Sequence, residues 1–263
     1  MSDNEPSALF ANSTLYQKIA SVCAVILAGA SLIMTAYWAH GPNTSNGYLG
    51  GLNWGKEIFN WHPVLMVAGS IFCLITSLLS FRVLPLPKLL QKSLHGIAHT
   101  AAMVCMSVGL AAVFYASNDK DKNSYNSYSD NFNTIHSFVG LAVFILYGLN
   151  FVLGILHYAV PVLDISLRKS FMSTHVFLGI VILLLAVSAV QTGIMMVTSG
   201  CQYEVTSPDT NPAEHYHLLS NGCQLANSIG IVCMAAAVLC YYSIFRNGVV
   251  PPPAQPKTVE LSK

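Results

Sequence analysis

Four histidines stand near the ends of long apolar segments: His62 in FNWHPVLM, His95 in KSLHGIAH, His136 in NTIHSFVG and His175 in FMSTHVFLG. An imidazole in hydrocarbon is costly unless it is paired or bound to something, so an intramembrane histidine is a functional-site hypothesis by default. Imidazole suits zinc, copper and iron alike, so the residue type points to metal or cofactor ligation without naming the metal. Sorted by depth the four fall two and two, which suggests two sites in series across a bilayer.

The elements that must position them follow from composition. Only 9% of residues are charged and 54% are hydrophobic, against roughly 25% charged in ordinary soluble domains. The net charge of +1 carries no basic patch, which excludes nucleic acid as a partner. Six apolar stretches, near 19–39, 61–81, 94–116, 135–158, 174–198 and 223–245, each reach the roughly 20 residues that cross a core of about 30 Å. A polar lead precedes the first of them, and its apolar run is too long for the core of a signal peptide. Gly, Asn, Pro and Ser gather between helices, at 41–56, 117–134 and 199–222. The expected fold is an all-α membrane protein, a six-transmembrane-helix bundle in the lipid bilayer. Residues 1–18 form an N-terminal segment, 19–246 the membrane domain and 247–263 a tail.

Basic residues set the orientation. With both termini cytoplasmic, that side holds Lys18, Arg82, Lys88, Lys92, Arg168, Lys169, Arg246, Lys257 and Lys263, and the other only Lys56, Lys120 and Lys122. The sequon at Asn43 then lies outside, while the one at Asn12 stays on the cytoplasmic side. Cys201 and Cys223 bracket the last outside loop, where they could form a disulfide or remain free. His62 and His136 fall near the outer face, His95 and His175 near the inner one, each pair contributed by two different helices. Such a pair could hold a flat macrocycle edge-on, and haem iron with two axial imidazoles is suited to electron transfer. Other readings stand beside this one: interhelical hydrogen bonding, a histidine-lined metal-ion permease with no cofactor, and a haem-anchoring subunit serving a separate catalytic protein.

Four ordered motifs narrow the choice. FNWHPVLM at 59–66, the spacing Lys92 to His95, HSFVG at 136–140 and SLR followed by His175 resemble the cytochrome b561 family, over roughly residues 16–246. Members are six-helix, di-haem, ascorbate-dependent transmembrane reductases. The resemblance implies helices 2–5 holding two b-type haems, the outer by His62 and His136, the inner by His95 and His175. Phe138 stands where many members have tryptophan. The resemblance also places Arg82, Lys88, Lys92 and Arg168 around a cytoplasmic ascorbate pocket, although each alone could be an interfacial anchor. His99, one turn deeper than His95 on the same face, is grouped with these ascorbate-side residues, near the inner haem or in proton handling, and His157 is expected to be interfacial and structural. On the outer side His40, His215 and Asn227 are the expected substrate-side residues, with His217, Glu204, Asp209 and Glu214 making an acidic, imidazole-bearing loop. The implied acceptors are a ferric iron complex or monodehydroascorbate, and the implied assembly is a homodimer. The sequence leaves the plasma membrane and endomembrane vesicles or lysosomes equally open.

Overall fold

The computed structural model of the chain describes residues 8–41, 44–118, 132–159, 164–199, 201 and 219–245. Among the described residues, six helices are long and apolar enough to cross a membrane: α1 (Leu15–His40), α2 (Ile58–Val83), α3 (Lys88–Asn118), α4 (Ile135–Tyr158), α5 (Ile165–Thr198) and α6 (Asn221–Phe245). Local chemistry fixes several of their ends. Thr14 caps α1 reciprocally: its Oγ1 accepts from the Gln17 N–H at 3.3 Å while Gln17 Oε1 accepts from the Thr14 N–H at 2.9 Å. Thr134 Oγ1 accepts from the Ser137 N–H at 3.2 Å and starts α4. The prolines of Leu84-Pro85-Leu86-Pro87 stop α2 and release α3.

The helices contain the expected apolar stretches, and all but α4 begin earlier. The start of α3 is Lys88 rather than 94, and that of α5 is Ile165 rather than 174. Hydropathy registers only the part of a helix that faces hydrocarbon. Backbone hydrogen bonding continues through polar turns that carry Lys88, Lys92, Arg168 and Lys169. With 34 residues, α5 is roughly 51 Å long, well beyond a core of about 30 Å.

Packing is antiparallel and pairwise. Along α1, Ala24, Ala28, Ser31 and Thr35 recur at helical spacing and are buried, and α6 answers with Ala226, Cys233, Ala236 and Cys240. Small side chains let these two backbones approach closely, as in other membrane helix pairs. The central span is α2, whose Ile71, Leu74, Ile75 and Leu79 are all but fully buried. It packs along α3, and α4 packs along α5, whereas α3 and α4 scarcely meet. A space therefore opens between the α2/α3 pair and the α4/α5 pair. In the middle of α2 the helix widens to a π-type turn over Ala68–Cys73, and α4 ends in another over Ile155–Ala159. Such turns occur often at functional sites.

The loop between α1 and α2 folds back onto the bundle. Trp38 Nε1 donates to the Gly47 carbonyl at 2.8 Å, and Gly47 adopts φ +79°, a conformation that favours glycine. The buried Asn60 donates through Nδ2 to the carbonyls of Leu49 and Gly51, both at 2.8 Å. At the same end Cys201 and Cys223 are joined in a disulfide, with Cα atoms 6.6 Å apart, which ties the end of α5 to the start of α6. Asn43 and His215 lie outside the described residues, as do His217, Glu204, Asp209 and Glu214. Asn60→Ala leaves two part-buried carbonyls without donors and is expected to destabilise the protein by about 1–3 kcal/mol. A lowered melting temperature with unchanged helical circular dichroism checks this; an unchanged melting temperature contradicts it.

Candidate functional site

The four histidines meet in two pairs. The rings of His62 on α2 and His136 on α4 have centroids 6.0 Å apart and planes at 84°. Those of His95 on α3 and His175 on α5 are 6.3 Å apart at 63°. Each pair thus spans the space between the α2/α3 and α4/α5 units, one near either end of the bundle.

Every one of these rings is fixed through Nδ1. His62 bonds the Gly109 carbonyl at 3.0 Å, His95 the Ser77 carbonyl at 2.9 Å and His136 the Ala189 carbonyl at 2.9 Å. His175 bonds Asn150 Oδ1 at 3.0 Å, and Asn150 Nδ2 returns a bond of 3.3 Å to the His175 carbonyl. A carbonyl oxygen can only accept, so each Nδ1 carries the proton and donates it. The lone pair is left on Nε2, the state in which a histidine binds a metal, with the other nitrogen held by a second partner. The partners follow the helix pairs. α3 holds the ring from α2 and α2 the ring from α3, while α4 and α5 do the same for each other.

A bare cation would need more ligands than this. Structural and catalytic zinc sites take three or four protein donors, and among the described residues no group of three or more His, Cys, Asp or Glu is arranged to hold a metal ion. A porphyrin supplies four nitrogens in its plane and asks the protein for only two axial ones. Two metal–nitrogen bonds of about 2 Å, plus roughly 1.1 Å from each nitrogen to its ring centre, put axial imidazole centroids about 6.2 Å apart. Both pairs lie close to that separation. At the first pair a cavity of about 210 Å³ opens, with His62, His136, Trp38, Phe59, Met66 and Phe144 among its lining. One water needs only roughly 10–15 Å³ on this measure, so the space is a binding volume rather than a packing void. Two glycines press on the rings. A Cβ on Gly193 of α5 would lie 2.9 Å from His136 Cε1, and one on Gly154 of α4 would lie 3.2 Å from His175 Cε1.

At the His95/His175 end Tyr158 is the junction. Its carbonyl accepts from Lys92 Nζ at 3.3 Å, its hydroxyl donates to the Arg168 carbonyl at 3.1 Å, and its ring lies 5.6 Å from that of His175. Lys88 is exposed one turn before Lys92. Arg82 follows Phe81, whose ring is 5.4 Å from His95, but its guanidinium turns to α6. Only 4% exposed, it donates to the Ile244 carbonyl at 3.3 Å, at a helix end whose dipole favours a cation. His99 bonds Tyr147 and stands edge-on to His95. His157 bonds the Leu153 carbonyl at 2.7 Å and stacks on Phe171 at 4.1 Å. At the opposite end His40 is exposed, and Asn227 is exposed on a face of α6 that does not line the cavity, whereas Ile229 does.

Sequence reasoning did not single out Asn150, Tyr147, Tyr158, Gly154 or Gly193. Asn150 had a signal, since it is the lone amide inside the apolar run of α4, and such a residue calls for a polar partner. The three carbonyl partners had none, because every residue has a carbonyl.

With this geometry in place, comparison with known proteins is informative. A family model described as eukaryotic cytochrome b561 matches residues 61–199, more than half of the chain. The Homo sapiens lysosomal membrane ascorbate-dependent ferrireductase is 32% identical over 228 residues, covering 84% of this chain and 85% of that protein. The Homo sapiens transmembrane ascorbate-dependent reductase is 33% identical over 199 residues, covering 73% and 71%. A plasma membrane ascorbate-dependent reductase of Xenopus tropicalis is 38% identical over 164 residues, 60% of this chain and 54% of its own. The chain belongs to the eukaryotic cytochrome b561 family. It is a multi-pass membrane oxidoreductase, and the family implies b-type haem.

Gly193→Val puts a branched side chain where even a Cβ meets His136. Haem content per chain is expected to fall while helicity is kept. Gly29→Ala on α1, where an added Cβ would make only an ordinary contact with Phe72 at 3.6 Å and which does not line the cavity, is the control. Haem retention by Gly193→Val at the wild-type level contradicts the assignment of that cradle.

Proposed function

We propose that the protein carries electrons across the membrane from cytoplasmic ascorbate to an acceptor on the other side, through two haem b groups. The outer one is held by His62 and His136, the inner one by His95 and His175. Haem, when bound, supplies a one-electron couple in each half of the bilayer. What supports this reading above all is the set of four imidazoles, paired at 6.0 and 6.3 Å, each with Nδ1 already bonded and Nε2 left to ligate.

The protein's own residues do the rest. His62 with His136 and His95 with His175 would each hold a haem through both imidazoles, and a haem so held would supply electron transfer rather than oxygen chemistry. The helix pairs wrap the centre in apolar side chains and exclude water. Both termini face the cytoplasm, so the Lys92/Arg168 end receives the donor. Ascorbate is an anion at neutral pH, and Lys88, Lys92 and Arg168 attract it. Tyr158 holds Lys92 and the Arg168 backbone beside His175. Arg82, turned to α6, contributes its field and the anchoring of that helix end. His99 stands behind His95, away from the mouth.

On the outer side the acceptor is a ferric iron complex or monodehydroascorbate, met by the surface that carries His40, His215 and Asn227. The exposed face of the bundle seats the homodimer. The named relatives act as ascorbate-dependent reductases, one of them a ferrireductase, which is the chemistry assigned here to this chain.

His62→Ala and His95→Ala are each expected to remove one haem component from the spectrum and to leave the other. Unchanged stoichiometry in both variants refutes the ligand assignment. Lys92→Ala and Arg168→Ala are expected to raise the ascorbate concentration for half-maximal haem reduction roughly tenfold, with reduction by dithionite unaffected. Equal ascorbate dependence in wild type and variants would move the donor site elsewhere.

A further inference from the structure

The two imidazole pairs are built alike, yet their rings are not set alike, at 84° in one pair and 63° in the other. One feature distinguishes the second pair. The ring of His99 stands edge-on to His95 with centroids 4.4 Å apart and planes at 81°, the shortest ring contact that any of the four ligand candidates makes among the described residues. His99 is itself held from the far side, where its Nδ1 shares a hydrogen bond of 2.5 Å with the hydroxyl of Tyr147. That tyrosine comes from α4 and is only 2% exposed.

We infer that Tyr147 and His99 form a brace that sets the plane of the His95 ring and so makes the inner redox centre electronically different from the outer one. This rests on the reading of His95 and His175 as haem ligands. A rotation of His95 about its Cβ–Cγ bond is opposed on one edge by the Ser77 carbonyl, at 2.9 Å from Nδ1. On its face it is opposed by the edge of His99. His99 resists only if its own ring is fixed, and Tyr147 is the group that fixes it. The remaining ring near His95 is Phe81, tilted at 51° and 5.4 Å away, a looser contact that leaves rotation possible. No second imidazole touches His62, His136 or His175 within the ring contacts of the described residues apart from its own partner, so the brace is one-sided. The angle between axial imidazole planes governs how the lower d orbitals of low-spin ferric iron split, and therefore its magnetic anisotropy. Ligand orientation and hydrogen bonding around it are also levers on potential. Tyr147 and His99 are positioning residues in this scheme, acting through His95 rather than on substrate.

The test is electron paramagnetic resonance of the oxidised, purified protein, with haem per chain measured on the same samples. Tyr147→Phe keeps the aromatic ring and removes only the hydroxyl. One of the two ferric low-spin signals is expected to shift its largest g value, with a matching shift in one of two midpoint potentials. The other signal and the haem count stay as in the wild type. His99→Phe is expected to shift the same signal, and the double variant to add nothing beyond either single one, since one contact acts through the other. His99→Gln, whose amide oxygen can still accept from Tyr147 but which has no ring, is expected to behave like His99→Phe. Two haems per chain with both signals unmoved in Tyr147→Phe and His99→Phe overturn the brace alone, and so does a shift of both signals together. A wild-type preparation without haem overturns the brace and the ligand reading on which it rests.

Discussion

A neutral imidazole inside a bilayer has one N–H and one lone pair, and hydrocarbon satisfies neither. The architecture follows from that constraint. Each of His62, His95, His136 and His175 spends its N–H on an oxygen of the antiparallel neighbour helix. Each keeps its lone pair on Nε2 and stands opposite a ring from the other helix pair. The hydrogen bonds consequently join α2 to α3 and α4 to α5, and the imidazole pairs bring these two units together. Where α3 and α4 would otherwise pack, space is kept. A cofactor bound there would contribute to holding the bundle together, as metal sites commonly couple to folding.

Around that frame the other helices play a supporting part. The small-residue faces of α1 and α6 close the back of α2, and Arg82 ties the C-terminal end of α6 to α2. Its place at a helix C-terminus favours the cation. At the other end Asn60 holds the loop between α1 and α2, and the Cys201–Cys223 disulfide joins the end of α5 to the start of α6. Two positions before His62, in the motif FNWHP, the Asn60 amide therefore organises the loop between α1 and α2.

Much of this was legible in the chain. Six long apolar runs in a sequence with 9% charge allow hardly any fold but a helical bundle, and His62 and His136 come from different spans at matching depth. The start of α4 was readable because Thr134 is a cap at the edge of an apolar run. The starts of α3 and α5 were not, since their first turns are polar and hydropathy is blind to helix outside hydrocarbon. Arg82 reads as a mouth cation beside Lys88 and Lys92, but its orientation depends on which helix end lies within reach, and that is tertiary information. For the same reason the sequence does not tell that Ile229 lines the cavity while Asn227 is exposed, since the rotation of α6 decides both. Gly154 and Gly193 are ordinary helix glycines in sequence and acquire meaning only when a ring is found against them.

The account stands or falls on whether these imidazoles grip a tetrapyrrole. The most direct measurement is a haem assay combined with a reduced-minus-oxidised spectrum of the purified chain, with ascorbate as the sole reductant. Two b-type haems per polypeptide, both low-spin and both reduced by ascorbate, are the result this structure leads us to expect. A colourless protein, or one whose iron binds carbon monoxide readily through an open axial position, would contradict it.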